Sequence, residues 1–180
     1  MAGAEHKIVF AGPPGAGKTT AIGAISDIPV VATEARATDA VALRKDRTTV
    51  AMDYGLMRLG EDAKLHLYGA PGQDRFSFMW DILATGSIGI IFLMDNTRTD
   101  PLTDLCRYLD AFKKPIAESA VVVGVTRTDI QTQPSMPTYH AWSEAHGWRM
   151  PIMTVDARSA GDVRMLVKVL LAVLDPSLAR

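Results

Sequence analysis

Eight residues near the amino terminus have the types and spacing of a phosphate-binding loop. They read Gly12-Pro13-Pro14-Gly15-Ala16-Gly17-Lys18-Thr19 and match the pattern G-x-x-x-x-G-K-[ST]. Glycines let the backbone fold around an anion, so that successive N–H groups point at it. In such loops the lysine neutralises the β- and γ-phosphates, and the hydroxyl that follows it holds Mg²⁺. We therefore predict a nucleoside triphosphate site whose contacts are Gly12, Pro14, Gly15, Ala16, Gly17, Lys18, Thr19 and Thr20.

A second chemical signal is the turn Pro71-Gly72-Gln73, which follows the apolar run 65–68. The backbone N–H of Gly72 could donate to a γ-phosphate only while that phosphate is present, which is the contact that a nucleotide switch needs. Gln73 could orient the attacking water. A plain Pro-Gly turn before a helix has the same pattern, so this prediction depends on the phosphate loop upstream.

The elements that position these residues alternate between strand and helix patterns, which favours a mostly parallel sheet with helices on both faces. The phosphate loop lies between an apolar, β-branched run and a helix, whose positive end favours an anion. Strands are predicted near 7–11, 48–54, 63–69, 87–95, 120–126 and 151–155. Helices are predicted near 17–26, 74–84, 101–114, 135–146 and 160–174.

Two segments refine this fold. Residues 27–47 show neither the strand nor the helix period, and so long a structureless segment usually has a functional reason. Residues 48–69 indicate two strands joined around Leu59-Gly60-Glu61-Asp62, a hairpin. We therefore expect a single α/β domain over 1–180, a three-layer P-loop NTPase with a six-stranded, mostly parallel sheet and one antiparallel edge strand, in small-GTPase topology.

Composition excludes several other classes. The chain has 180 residues and a formal net charge of −1, which offers no basic surface for nucleic acid. Its single cysteine, Cys106, excludes an internal disulfide and fits a reducing cytosol. The apolar runs are too short to cross a bilayer, and the first residues lack the pattern of a secretory signal. We expect a cytoplasmic protein that neither inserts into a membrane nor binds nucleic acid.

Together the motifs identify a resemblance. The segments GPPGAGKTT at 12–20, RTTVAMDYG at 47–55, LYGAPGQDRFSFMW at 67–80, TRTD at 126–129 and DARS at 156–159 resemble those of bacterial Ras-like small GTPases. The chain is most similar to the group that includes the gliding-motility GTPases and the GTPases of actinobacterial conservon operons. This resemblance implies a cytosolic switch that cycles between GTP and GDP with Mg²⁺, often aided by a roadblock-type partner that activates hydrolysis.

The resemblance also implies how the base is recognised. An Asn-Lys-x-Asp motif of the family appears here as Thr126-Arg127-Thr128-Asp129. The carboxylate of Asp129 can accept hydrogen bonds from guanine N1–H and the 2-amino group, donors that adenine lacks in that arrangement. Arg127 can cover the base as the lysine would. Ala157 and Arg158 would offer a backbone N–H to guanine O6, whereas the alternative for Asp129 is a helix cap.

The metal site departs from the family pattern. Ras-like proteins carry Asp-x-x-Gly at the third motif, but Gly69 stands at its first position here. Because Mg²⁺ favours oxygen ligands, a carboxylate from elsewhere is expected. Asp53 is the first candidate, because similar bacterial members carry an Asp four residues after the switch threonine. Asp95, at the end of an apolar strand, is the alternative.

The first switch segment offers further candidates. Thr48 and Thr49 could each donate a hydroxyl oxygen to Mg²⁺, and the distance to Asp53 favours Thr49. Arg47 could act as an arginine finger in cis, as an arginine at this place does in similar gliding GTPases. The charged run 44–47 could equally be a solvated loop.

These residues favour a GTP-hydrolysing switch in which Gln73 orients water while Lys18 and Arg47 absorb charge. One alternative is a scaffold that binds GTP or GDP with negligible hydrolysis, which the missing third-motif Asp supports. Another is an ATP-binding P-loop protein. Phe78 and Ile82 point away from the core face of their helix, which indicates a surface for a regulator or an effector.

Overall fold

A seven-stranded sheet forms the centre of the computed structural model, which describes residues 4–36, 49–60 and 62–175. Its order is β2-β3-β4-β1-β5-β6-β7. The strands are β1 (Ala4–Ala11), β2 (Val31–Arg36), β3 (Thr49–Leu59), β4 (Ala63–Gly69), β5 (Gly89–Asp95), β6 (Ala120–Thr126) and β7 (Ile152–Thr154).

The sheet is mixed but mostly parallel. β1 runs parallel to β4 and β5, and β6 runs parallel to β5 and β7. β3 is antiparallel to both of its neighbours. The prediction of six strands was therefore wrong, and the antiparallel strand is internal because β2 covers it. Within 27–47, residues 31–36 pair with residues 49–54. The sequence of β2, VATEAR, contains two alanines and a glutamate, which are depleted in strands, so its propensity is weak.

Helices cover both faces of the sheet. They are α1 (Lys18–Ile25), α2 (Phe78–Ala84), α3 (Pro101–Ala111), α4 (Lys113–Ile116), α5 (Met136–Ala145) and α6 (Ala160–Leu174), with a 3-10 turn at Asp74–Phe76. Helices α1 and α6 pack on one face, and α2, α3 and α5 pack on the other. Two predicted helices are interrupted, because the 3-10 turn precedes α2 and Phe112 separates α3 from α4.

Two apolar clusters, one on each side of the sheet, form the core. Every residue of β5 and β6 is buried, as expected for parallel strands covered on both faces. This three-layer arrangement confirms the predicted α/β class. Among the helices in the described ranges, none is long and apolar enough to cross a membrane.

Asn96 is a buried polar residue that connects three elements at the end of β5. Its backbone N–H donates to the carbonyl of Thr126 at 3.1 Å. Its side-chain amide donates to the carbonyls of Gln131 at 2.6 Å and Pro134 at 3.2 Å. Its side-chain oxygen accepts from the hydroxyl of Tyr139 at 2.9 Å. Asn96 thus holds the segment between β6 and α5 against the sheet.

Removing this amide should destabilise the fold. Asn96→Ala leaves the buried hydroxyl of Tyr139 without its acceptor, so we expect the free energy of unfolding to fall by about 1–3 kcal/mol. Urea denaturation followed by circular dichroism measures it. Glu144→Ala, an exposed change on the same helix as Tyr139, should alter it by less than about 0.5 kcal/mol. Equal effects of the two variants would contradict the role of Asn96.

Candidate nucleotide-binding site

The phosphate loop lies between the end of β1 and the start of α1, as predicted. Lys18 reaches back over the loop, and its Nζ donates to the carbonyls of Gly12 and Pro13, each at 2.8 Å. Burial lowers the pKa of Lys18 to about 8, and the negative charge of Asp53 acts in the opposite direction. The arrangement places a poorly hydrated cation at the mouth of the loop, where it can bind an anion.

A carboxylate from β3 stands beside the loop. The hydroxyl of Thr19 donates to Oδ2 of Asp53. Asp53 lies opposite Gly69 in the register of β3 and β4. The other candidate, Asp95, is engaged elsewhere, because its Oδ2 pairs with Arg127. Of the two proposed replacements for the third-motif Asp, Asp53 is therefore the one that contacts the loop.

The same geometry explains the glycine at position 69. A Cβ there would lie 3.1 Å from the Cβ of Asp53, 3.2 Å from its Oδ2 and 3.2 Å from Cδ1 of Ile22. These separations are tighter than ordinary van der Waals contact. The carboxylate of Asp53 thus crowds the space into which an Asp at 69 would begin, and a side chain at both positions would require a neighbour to move.

Thr19 and Asp53 fit a Mg²⁺ ion. A hydroxyl and a carboxylate oxygen, already in contact, are hard ligands of the kind that this ion takes, with water completing the shell. Within the described ranges no group of three or more His, Cys, Asp or Glu side chains could hold a metal. Thr49 begins β3, and only its backbone is described. Arg47 and Thr48 lie outside the described residues.

The Pro-Gly-Gln turn packs directly against the phosphate loop. A Cβ on Gly72 would lie 2.6 Å from the nitrogen of Pro14, so only glycine fits. The indole N–H of Trp80 donates to the carbonyl of Pro71, and the hydroxyl of Tyr108 donates to that of Gly72, both at 2.7 Å. Gln73 is exposed at the start of the 3-10 turn.

Trp80 and Tyr108 were not predicted as site residues. Tyr108 stands 36 positions from the carbonyl that it binds, and its spacing within α3 indicates only a core position. Burial raises the pKa of this hydroxyl, so it stays a donor at neutral pH. The two aromatic rings pack with centroids 4.9 Å apart, so the turn is fastened to the core.

A cavity of about 480 Å³ opens beside the loop, between the ends of β6 and β7. All five residues predicted to recognise the base line it, together with part of the phosphate loop. These five are Thr126, Arg127, Asp129, Ala157 and Arg158. Segments about 30 residues apart in sequence therefore line one cavity.

Contacts within the cavity wall refine these roles. The hydroxyl of Thr126 lies 3.2 Å from the carbonyls of both Ala16 and Met94, so its one proton is shared between the phosphate loop and β5. The backbone N–H of Arg158 donates to Asp156 at 2.9 Å. This leaves the N–H of Ala157 as the candidate donor for a base. Asp156, which was not predicted, has its pKa lowered to about 2 by hydrogen bonds from Arg158.

Comparisons with known proteins agree with this site. A family model described as "Conserved hypothetical ATP binding protein" matches residues 10–163. An uncharacterised protein of Methanocaldococcus jannaschii is 29% identical over 84 residues, which cover 46% of this chain and 51% of that protein. Ras-related protein Rab-1D of Dictyostelium discoideum is 25% identical over 121 residues, which cover 64% of this chain and 59% of that protein. The chain thus spans between half and three-fifths of these curated relatives.

The role of Asp53 in the metal site can be tested by moving the acid from position 53 to position 69. Asp53→Ala should lower nucleotide affinity in Mg²⁺ by about 10- to 100-fold while affinity in EDTA stays unchanged. The reason is that only the Mg²⁺-dependent part of the binding free energy needs the carboxylate. The double variant Asp53→Gly with Gly69→Asp moves the acid to the facing strand position and should restore part of the Mg²⁺ dependence. Calorimetric titration of nucleotide measures both.

Asp62→Ala is the control for this test, because it removes an exposed acid from the turn of the same hairpin. Gly69→Asp alone should bind poorly, since it places two carboxylates in one space. If Asp53→Ala retained the full response to Mg²⁺, the carboxylate would have to come from another residue.

Proposed function

The chain belongs to the family described as conserved hypothetical ATP binding proteins, and we propose that it is a GTP-binding and GTP-hydrolysing switch within it. One observation carries the proposal. Ala16 and Gly17 of the phosphate loop line the same cavity as Asp129 and Ala157. A nucleotide whose phosphates bind the loop could therefore place its base within reach of an acceptor, the carboxylate of Asp129, and a donor, the N–H of Ala157.

Guanine complements this pair better than adenine. Its N1–H and 2-amino groups are donors for a carboxylate, and its O6 accepts from an N–H. Adenine presents its 6-amino donor where O6 would stand, opposite the N–H of Ala157, and has no donor for Asp129. Asp129 is exposed, and a bound base would cover its carboxylate, so a base that offers it no donor would bind less tightly. This complementarity supports guanine as the proposed base, although the family description names ATP.

Two further observations support a switch. The aligned Ras-related protein of Dictyostelium covers much of this chain. The six strands β3-β4-β1-β5-β6-β7, with β3 antiparallel, have the order expected of a small GTPase, and β2 adds a strand outside it. The narrower resemblance to gliding-motility and conservon GTPases stays a prediction, as does a single domain over 1–180.

Hydrolysis would use groups that already surround the loop. Gln73 follows Gly72, which packs on the phosphate loop, and in the proposed mechanism its amide orients a water for attack. Lys18 would balance the charge that develops on the β- and γ-phosphates, and Mg²⁺ at Thr19 and Asp53 would supply further positive charge there. Arg47 remains the candidate arginine finger.

A partner surface is proposed on α2. Phe78 is 45% exposed and Ile82 is 62% exposed, on the helix that follows the Gln73 turn. Apolar side chains in such a place suit a regulator that senses the nucleotide, and a roadblock-type activating protein is the partner that we propose. A scaffold that binds GTP without hydrolysing it is the alternative outcome.

A substitution that changes one atom of Asp129 should change which base the site prefers. Asp129→Asn replaces one acceptor oxygen with a donor, which suits the 2-carbonyl of xanthine and clashes with the 2-amino group of guanine. We expect affinity for GDP to fall by at least about 100-fold and affinity for xanthosine diphosphate to rise. Calorimetry with GDP, ADP and xanthosine diphosphate measures the three affinities.

Asp110→Asn, an exposed change on α3, is the matched control and should leave all three affinities within twofold. Wild-type protein that binds ADP as tightly as GDP would overturn the guanine proposal and support an ATP-binding function instead.

Hydrolysis has its own test. Gln73→Ala should slow single-turnover cleavage of bound GTP by about 100-fold without weakening GTP binding, because the amide positions water rather than nucleotide. Gln131→Ala removes another exposed glutamine amide and serves as the control. If wild-type protein released no phosphate with or without partner proteins, the scaffold function would replace the proposed one.

A further inference from the structure

We propose that Asp95 is a positioning residue for base recognition, which acts by holding Arg127 across the wall of the nucleotide cavity. This inference rests on the proposed function, since it assigns a role within the same site. Asp95 ends β5, Thr126 ends β6, and the two residues are paired in the register of these strands. Arg127 therefore leaves the sheet directly beside Asp95.

The side chain of Asp95 is almost fully buried and completely engaged. Only 6% of it is exposed, against 45% of the Arg127 side chain. Its Oδ1 accepts from the backbone N–H of Thr97 at 2.9 Å and from the Thr97 hydroxyl at 2.6 Å. Its Oδ2 accepts from Nη1 of Arg127. A buried carboxylate requires a cation, and this one is satisfied by a residue of the cavity.

The backbone of Arg127 is fixed as tightly as its side chain. Its φ of 58° lies in the left-handed region, and among the described residues it is the one non-glycine with a positive φ. Its carbonyl accepts from the N–H groups of Ile130 at 3.1 Å and Gln131 at 3.0 Å. These bonds close the turn that carries Asp129. Arg127 therefore has two roles: its side chain pairs with Asp95, and its backbone forms the turn that carries Asp129.

Arg127 needs a partner that fixes its side chain if it is to contact a nucleotide at low entropic cost. Its guanidinium is planar and rich in donors, but its long side chain loses much rotamer freedom when a ligand orders it. Asp95 restricts the side chain of Arg127 before the nucleotide binds. Its rotamer entropy is therefore not lost in the binding step. The pair would make the cavity wall rigid at the place where the related motif has a flexible lysine.

The test is a double-mutant cycle on nucleotide affinity. Asp95→Asn keeps the shape and the acceptor for Thr97 but removes the charge that holds Arg127. We expect the Kd of the nucleotide to rise by about tenfold in the wild-type background and by less than twofold in an Arg127→Ala background. Binding of inorganic triphosphate, which needs only the phosphate loop, should stay unchanged, whereas a general loss of structure would weaken it too.

Asp104→Asn is the control, because Asp104 is another buried acid, paired with Arg98 and Arg107, and it does not line the nucleotide cavity. Its nucleotide Kd should stay within twofold of the wild-type value. If Asp95→Asn fails to fold, Arg127→Lys keeps a cation beside Asp95 without the planar fork, and it should raise Kd severalfold. An unchanged Kd in that variant would overturn the proposal.

The cycle also separates this inference from the proposed function. It is run on whichever nucleotide the wild-type protein binds best, so a preference for ADP would overturn the guanine proposal and leave the Asp95–Arg127 coupling measurable. Equal effects of Asp95→Asn in the two backgrounds would overturn the positioning role even if guanine selectivity holds.

Discussion

The phosphate loop has to present backbone N–H groups to a ligand, so few of them can also hold the loop in place; one that does is the N–H of Ala16, which donates to the carbonyl of Pro13 at 3.2 Å. The position of the loop depends mainly on contacts through other atoms. Thr126 binds the carbonyl of Ala16 from the base side, and Gly72 packs on the backbone of Pro14 from the switch side. Lys18 binds two loop carbonyls from within. A loop fixed in this way is preorganised, so less of the binding energy is lost in ordering it.

The space between β3 and β4 limits where a carboxylate can lie beside the phosphate loop. β3 and β4 face each other at Asp53 and Gly69, and Ile22 of α1 closes the third side. The acid between them starts from β3, and its carboxylate contacts the hydroxyl of Thr19. A side chain at 69 would crowd this carboxylate, which explains why a glycine faces it.

Local sequence patterns predicted the elements whose bounds depend on nearby residues. The strands at 63–69 and 120–126 and the helix at 160–174 have the predicted bounds. An alternating pattern determines the first strand, a continuous apolar run determines the second, and a wide apolar face determines the helix. β2 was missed because a short, alanine-containing edge strand is stabilised by pairing with β3 rather than by its own propensity. The bonds of Tyr108 to Gly72 and of Asp95 to Arg127 were missed because each joins residues more than 30 positions apart.

The phosphate loop and the turns that line the base end of the cavity are separate parts of the site, and the family match at residues 10–163 spans both. The loop contacts groups that all nucleoside triphosphates share. Asp129 and Ala157 lie on two short turns after β6 and β7 and line one cavity. In the proposed function the base is selected at these turns and not at the loop, so a change of base preference needs no change in the loop.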